Sequence, residues 1–234
     1  TCVLTPESEE GPYYIHEPLI RNDVRDGMSG VPLTLDIGVM DVTTCTVIEN
    51  AMVDISAMFV NFSSVQCALS LTHWGGGGMS GSVATDQQTF GRGAYPTDAE
   101  GLVEFTTVFP GFYSGRTVHI HTVVLLDYLT NANGTVGVEA GHIQHIGQMF
   151  FDEAWTADVM TAAPYNTETI TRTTNAEDHV YAVENTAGYN ATAQLAKLGN
   201  DISDGLLGYI TLGINPAASY ELNSVSYYTG NSTN

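Results

Sequence analysis

The chain has 234 residues, with 6 lysines and arginines against 26 aspartates and glutamates, which gives a formal net charge of −20 at pH 7. Such an acidic surface repels polyanions, so we expect no nucleic acid and no anionic membrane among the partners. The length suits one large β domain over 1–234, with an N-terminal arm over 1–29 and a polar C-terminal extension over 175–234. No apolar run approaches the roughly 18 residues of a membrane span.

Apolar runs and apolar/polar alternation predict several strands in the order of the chain. These cover residues 30–42, 51–60, 102–109, 117–127 and 142–152. Before residue 190, no segment repeats apolar residues at helical spacing over three turns, so little helix is expected. Further on, we expect a short helix near Ala191–Lys197 and a late strand over Leu206–Ile214. The pattern predicts an all-β fold, a two-layer β-sandwich core with long loops.

The most informative stretch covers residues 109–127 and reads FPGFYSGRTVHIHTVVLLD. Its second half is mostly β-branched or aliphatic and predicts a buried strand, in which successive side chains point to opposite faces. His119 and His121 therefore share a face, and two imidazoles on one face form a simple metal clamp. Tyr113 and Arg116, just upstream, add a potential phenolate and a cation. The alternative is a hydrogen-bonded pair of core histidines.

The pattern PGFYSGRTVHIH resembles the metal-site segment of the intradiol ring-cleavage dioxygenases, which open catechols between the two hydroxyls using non-haem Fe(III). Other stretches are similar to the same family, in the family's order. They are GPYY at 11–14, RGAYPTDAEGLVEFTTVFPG at 92–111 and HIGQMFFDE at 145–153. The resemblance is to the secreted, fungal-type branch and covers roughly residues 2–174. It implies a β-sandwich that acts on a small aromatic substrate and O2. The sequence leaves a monomer and a homodimer both open.

The resemblance also implies roles for single residues. Tyr113, His119 and His121 would bind the metal. Arg116 would hold negative charge on the substrate ring, and Gln148 would lie beside the substrate. A structural salt bridge is the alternative role for Arg116.

Other aromatic residues and histidines have less specific roles. By resemblance, Tyr13 and Tyr14 would line the substrate pocket, although core packing alone also explains them. His142 and His145 match no ligand position and are expected to be structural.

The segment from Asn61 to Gln88 departs most from the family, which has a second tyrosine ligand here. No tyrosine occurs in this chain from residue 15 to residue 94. The possible fourth ligand is His73 or Met79, and the turn-like pattern Gly-Met-Ser-Gly favours Met79. The consecutive glycines Gly75 to Gly78 indicate a loop, which we expect to border the metal site.

Losing one phenolate weakens a site's preference for ferric ion. We therefore expect an oxidoreductase that binds non-haem Fe(III) but cleaves catechols, or lignin-derived or plant-derived phenols, weakly or not at all. Copper is the alternative metal, because two imidazoles, a phenolate and a thioether form a softer set of ligands. A secreted binding protein without catalysis is the third hypothesis.

Two features predict an extracellular protein, and we expect Thr1-Cys2 to be a processed N-terminus. The glycosylation pattern Asn-x-Ser/Thr occurs at Asn61, Asn133, Asn190 and Asn231. The cysteines Cys2, Cys45 and Cys67 allow at most one intrachain disulfide. The resemblance implies a Cys2–Cys45 bridge, worth about 2–4 kcal/mol, and Cys67 is then a small buried side chain.

Overall fold

The computed structural model describes residues 2–11, 14–57, 89–137, 142–224 and 227–228. The strands in these ranges are β1 (Pro32–Asp41), β2 (Thr46–Val47), β3 (Met52–Ala57), β4 (Arg92–Pro96), β5 (Leu102–Val108), β6 (His119–Leu126), β7 (Leu129–Thr130), β8 (Val136–Gly137), β9 (His142–Phe151), β10 (Thr192–Lys197) and β11 (Leu206–Ile214). The helices are α1 (Glu153–Val159) and α2 (His179–Glu184), with 3-10 turns at Tyr165–Thr167, Asn175–Glu177 and Ile202–Asp204. In the part of the chain that is described, no helix is long and apolar enough to cross a membrane.

Most strands belong to one curled, mixed sheet in the order β2-β1-β11-β10-β9-β6-β3-β4, and β5 adds to β1. β1 runs parallel to β11, and β10 runs parallel to β9, whereas the other pairs in this sheet are antiparallel. A short ribbon of β7 and β8 lies apart. The predicted all-β sandwich is confirmed.

The main core lies between the two halves of the curled sheet. Alternate residues of β1, such as Leu35 and Ile37, are fully buried on one side. They share a hydrophobic cluster with Ile55 of β3 and Ile120 of β6. Because side chains alternate along a strand, burying Ile120 in this core turns His119 and His121 to the outer face of the sheet.

The predicted helix near Ala191–Lys197 is wrong, since Thr192–Lys197 forms strand β10. Alanine, glutamine, leucine and lysine favour helices. Here, however, β10 fills the gap between β9 and β11, and these backbone hydrogen bonds outweigh a weak local preference. The predicted late strand over Leu206–Ile214 is confirmed as β11. Residues 175–234, predicted as a polar extension, thus supply two strands to the middle of the sheet.

Residues 2–11, here called the strap, run along the outside of β9. The Cys2–Cys45 disulfide that the resemblance implies is present, with a Cα–Cα distance of 5.5 Å. The Thr5 amide donates to the Gly213 carbonyl, and the Ser8 amide donates to the Ile146 carbonyl, each at 2.8 Å. The strap is therefore fixed at its start and again beside β9.

Candidate metal centre

His119 and His121 lie side by side on the outer face of β6, as the strand period predicts. Their Nε2 atoms are 3.1 Å apart. The ring centroids are 4.8 Å apart, and the rings are nearly perpendicular at 83°. The neighbouring strands place Ser56 and Gln148 directly opposite His121, so these two side chains flank the pair.

Hydrogen bonds define which nitrogen of each ring carries the proton. His119 Nδ1 lies 2.6 Å from the carbonyl oxygen of Thr117, and His121 Nδ1 lies 3.1 Å from that of Glu9. A carbonyl only accepts, so Nδ1 is the donor in both rings and each neutral ring keeps its lone pair on Nε2. Two unprotonated nitrogens 3.1 Å apart cannot hydrogen-bond to each other, so the two lone pairs together form a site that suits a cation.

Both imidazoles are neutral at physiological pH. Burial lowers the pKa of His121 to about 3 and moves the pKa of His119 well below its ordinary value. Each pKa is lowered further by the nearby positive charge of Arg116. Neutral imidazole is the form that binds metals.

Tyr113 brings an oxygen to the same place. Its side chain is buried, and its Oη lies 3.4 Å from His119 Nε2. Among the described residues, no group of three or more histidine, cysteine, aspartate or glutamate side chains could hold a metal. A metal bound here would thus take two imidazoles and the Tyr113 phenolate from the described residues, a set that fits Fe(III) or Cu(II).

Arg116 is buried behind these donors, with its guanidinium contacting several partners. Its Nε donates to Asp178 Oδ2 at 2.8 Å, and its Nη2 donates to Gln148 Oε1. Its Nη1 is 3.5 Å from both Tyr113 Oη and Glu9 Oε1. Arg116 therefore forms the structural salt bridge that was the alternative to a role beside the substrate, and it also faces the candidate ligand Tyr113.

Sequence reasoning missed the two carboxylates that support this centre from behind. Asp178 precedes α2 and Glu184 ends it, and both are almost completely buried. The backbone amide of Gln148 donates to Glu184 Oε1 at 3.0 Å, and burial raises the pKa of Glu184 to about 7. An N-cap aspartate could have been recognised from the sequence, but not its second role beside Arg116.

The strap covers the centre from the other side through its backbone. The Glu9 carbonyl accepts from His121 Nδ1 at 3.1 Å and from Gln148 Nε2 at 3.4 Å. Gly11, with φ +86°, lies so close to His121 that a Cβ at this position would be 2.6 Å from ring atoms. Glycine is needed here both for the left-handed backbone and for the close approach.

Tyr14 and His145 have described partners other than the three candidate ligands. Tyr14 packs in a separate hydrophobic cluster with Val123 and Leu125 and hydrogen-bonds Asp54, so its pocket role stays a prediction. His145 is buried, with Nδ1 2.9 Å from Glu7 Oε1, which is a structural contact.

The structure describes only some of the other predicted positions. Asn133 and Asn190 are exposed, as glycosylation would require. The predictions for Tyr13, Asn61, Cys67, His73, Met79 and Asn231, and for the side chain of His142, lie outside the described residues.

Comparisons with solved structures agree with this geometry. An intradiol ring-cleavage dioxygenase from Tetranychus urticae is 30% identical, with a TM-score of 0.75, and the match covers 95% of this chain and 99% of that chain. The chain therefore belongs to the intradiol ring-cleavage dioxygenase family.

More distant structures share the fold. The dioxygenase domain of a carbohydrate-binding fusion protein from Streptomyces sp. SirexAA-E is 21% identical, with a TM-score of 0.52 over 89% of this chain and 96% of that chain. Catechol 1,2-dioxygenase from Pseudomonas arvilla C-1 is 16% identical, with a TM-score of 0.57 over 96% of this chain and 68% of that chain. No family model and no curated protein matches the sequence.

Proposed function

We propose that this protein is a metal-dependent oxidoreductase that opens catechol-type rings with O2, using Fe(III) held by Tyr113, His119 and His121. The observation that carries the proposal is the convergence of two imidazole lone pairs, 3.1 Å apart, with Tyr113 Oη 3.4 Å from one of them. Family membership supplies the reaction class, in which both atoms of O2 enter the product as the bond between the hydroxylated carbons breaks.

The bound Fe(III) would supply a Lewis acid for the catechol oxygens. The chain's own contribution is to orient donors and to place one fixed positive charge. Arg116 is already desolvated and held by Asp178, so it stabilises negative charge on a substrate oxygen with little reorganisation. Gln148 is fixed by bonds to Arg116 and to the Glu9 carbonyl, which orients its amide beside the ligands.

The experiment that tests this function measures metal content and oxygen uptake together. Protein loaded with iron or with copper is given catechol or hydroxyquinol, and the ring-opened product is quantified. We expect a reddish iron form, from phenolate-to-Fe(III) charge transfer, and iron-dependent product. Oxygen uptake by the copper form alone would favour the hypothesis of a copper enzyme. Binding of phenols by both forms without oxygen uptake would favour the hypothesis of a binding protein.

Single substitutions test the proposed ligands. His119→Ala should lose the stoichiometric metal, and Tyr113→Phe should lose the charge-transfer colour. His179, exposed at the start of α2, provides the matched control, since His179→Ala should keep both metal and colour. Stoichiometric metal in His119→Ala would contradict the proposed ligand set.

We also propose that the protein is extracellular and glycosylated, because Asn133 and Asn190 are both exposed and a disulfide joins Cys2 to Cys45. Expression through a eukaryotic secretory pathway should give a product whose mass falls on treatment with an N-glycosidase. Asn133→Gln and Asn190→Gln should each remove one glycan. Secretion of protein with an unmodified mass would contradict the glycosylation.

A further inference from the structure

Asp178 uses both carboxylate oxygens, and each oxygen serves a different part of the fold. Oδ1 accepts from the amides of Val180 and Tyr181 at 2.8 and 3.2 Å. Oδ2 accepts from Arg116 Nε and from the Thr117 amide, both at 2.8 Å. The side chain is completely buried. One carboxylate thus caps α2 and at the same time binds the segment that precedes the histidine strand.

The helix determines where the second oxygen points. An N-cap side chain must keep one oxygen over the first free amides of its helix. With Oδ1 fixed over α2, Oδ2 is directed at Arg116 and Thr117. Rotation of the carboxylate would break the bonds at both ends, so its orientation is well defined.

The contacts of Asp178 continue to the candidate ligands by two short routes. A guanidinium is planar, so holding Arg116 at Nε sets the directions of Nη1 and Nη2, which contact Tyr113 and Gln148. By the second route, the bond to the Thr117 amide fixes the peptide chain just before β6, and the Thr117 carbonyl accepts from His119 Nδ1 at 2.6 Å.

We infer that Asp178 is a positioning residue for the reaction, which orients Arg116 toward the substrate and His119 toward the metal. The inference rests on the proposed function for its kinetic consequences and on the contacts above for its structural ones. Asp178 also offsets the charge of Arg116, so its loss would leave a buried cation with weaker compensation. Asp178 would act through Arg116 and Thr117, to which it hydrogen-bonds, and not as a ligand itself.

The test compares Asp178→Asn with Asp152→Asn, which has the same substitution at the N-cap of α1. Asp152 accepts from the Ala154 amide at 2.8 Å but is exposed. Asparagine keeps an acceptor for either helix, but at residue 178 its amide group cannot also accept from Arg116 and Thr117. Both variants should therefore keep the helix cap, whereas only Asp178→Asn should affect the centre.

In Asp178→Asn, we expect kcat for catechol to fall about 10- to 100-fold, while KM changes much less and metal stoichiometry is retained. Asp152→Asn should keep wild-type kcat. Folded Asp178→Asn with wild-type kcat would overturn the inference, as would equal kcat losses in the two variants.

A second readout does not depend on turnover. Co(II) bound at His119 and His121 has a visible spectrum that reports ligand geometry, and it can be recorded even if the wild-type protein cleaves no catechol. We expect an altered spectrum and weaker Co(II) binding in Asp178→Asn but not in Asp152→Asn. Identical Co(II) spectra and affinities in all three proteins would overturn the positioning of His119, whatever the outcome for the proposed function.

Discussion

The strap and the α2 region support the same centre in different physical ways. The strap mainly presents a backbone carbonyl, that of Glu9, to His121 and Gln148, while the partly exposed Glu9 carboxylate lies 3.5 Å from Arg116. The α2 region instead presents two buried carboxylates, Asp178 and Glu184, to Arg116 and to the Gln148 amide. A backbone acceptor does not depend on which side chain its residue carries, whereas a buried carboxylate is lost in a single substitution. The strap should thus depend on how it is anchored, and α2 on the identity of these two acidic side chains.

The difference also concerns how each part stays in place. The strap is a covering segment fixed by a disulfide at its start and by a few backbone bonds. The α2 region is fixed by its burial and by bonds on both sides of Asp178. Loosening the strap should therefore affect His121 first, whereas a change in α2 should affect Arg116 and His119.

The largest expected effect comes from releasing the anchor of the strap. Cys2→Ser removes the disulfide to Cys45 and should lower the free energy of unfolding by about 2–4 kcal/mol. Metal affinity should fall as well, because the Glu9 carbonyl that orients His121 is then less restrained. Denaturant unfolding and metal titration check this. Cys45→Ser and the double variant should match Cys2→Ser in both measurements. Unchanged metal affinity in all three variants would show that the anchor of the strap does not affect the metal centre.

A smaller effect is expected from changing the strap where it touches His121, one of the proposed ligands. Gly11→Ala should cost about 1–3 kcal/mol of stability and weaken metal binding, since the new Cβ would lie 2.6 Å from ring atoms of His121. Gly188→Ala is the matched control, because Gly188 has a similar φ of +84° but no atom within 4 Å of the added Cβ. Equal metal affinities in the two variants would show that the contact with His121 does not matter, and that backbone strain alone explains any change caused by Gly11→Ala.

The sequence predicts the histidine pair well because the relevant information is local. A strand places His119 and His121 on one face whatever it pairs with, and Tyr113 and Arg116 lie only a few residues away. The supporting carboxylates are different: Asp178 is 62 residues from Arg116, in a chain with 26 acidic residues. Nothing local distinguishes a buried acid from a solvated one in such a chain, so only the fold reveals these partners.

The same contrast explains the wrong helix at Ala191–Lys197. Its residues favour a helix locally, but the place between β9 and β11 is defined by strands far apart in the sequence. Local preferences are weak compared with burial and sheet pairing. The alternating core strands were predictable, because their burial pattern repeats what the sequence already shows.

The smallest effect on the metal centre is expected from a test that separates the two supports by pH, because Glu184 titrates whereas the Glu9 carbonyl does not. Burial raises the pKa of Glu184 from its ordinary value of 4.5 to about 7. The folded state therefore holds this proton more tightly than the unfolded state. The associated stability is fully present below about pH 4.5 and is lost as the pH rises through about 7. Glu184→Gln removes this titration and can still accept from the Gln148 amide.

We therefore expect the unfolding free energy of Glu184→Gln, relative to the wild type, to rise between pH 5 and pH 8 by at most about 3 kcal/mol. Glu177→Gln is the control, because hydrogen bonds from Thr174 lower the pKa of Glu177. Glu177 is thus ionised throughout this range, and its substitution should shift stability by the same amount at every pH. Urea unfolding at half-unit pH steps measures both differences. A stability difference between Glu184→Gln and the wild type that does not change with pH would mean that Glu184 is already ionised at pH 5. In that case α2 supports the Gln148 backbone amide with a charged carboxylate and not with a neutral carboxylic acid.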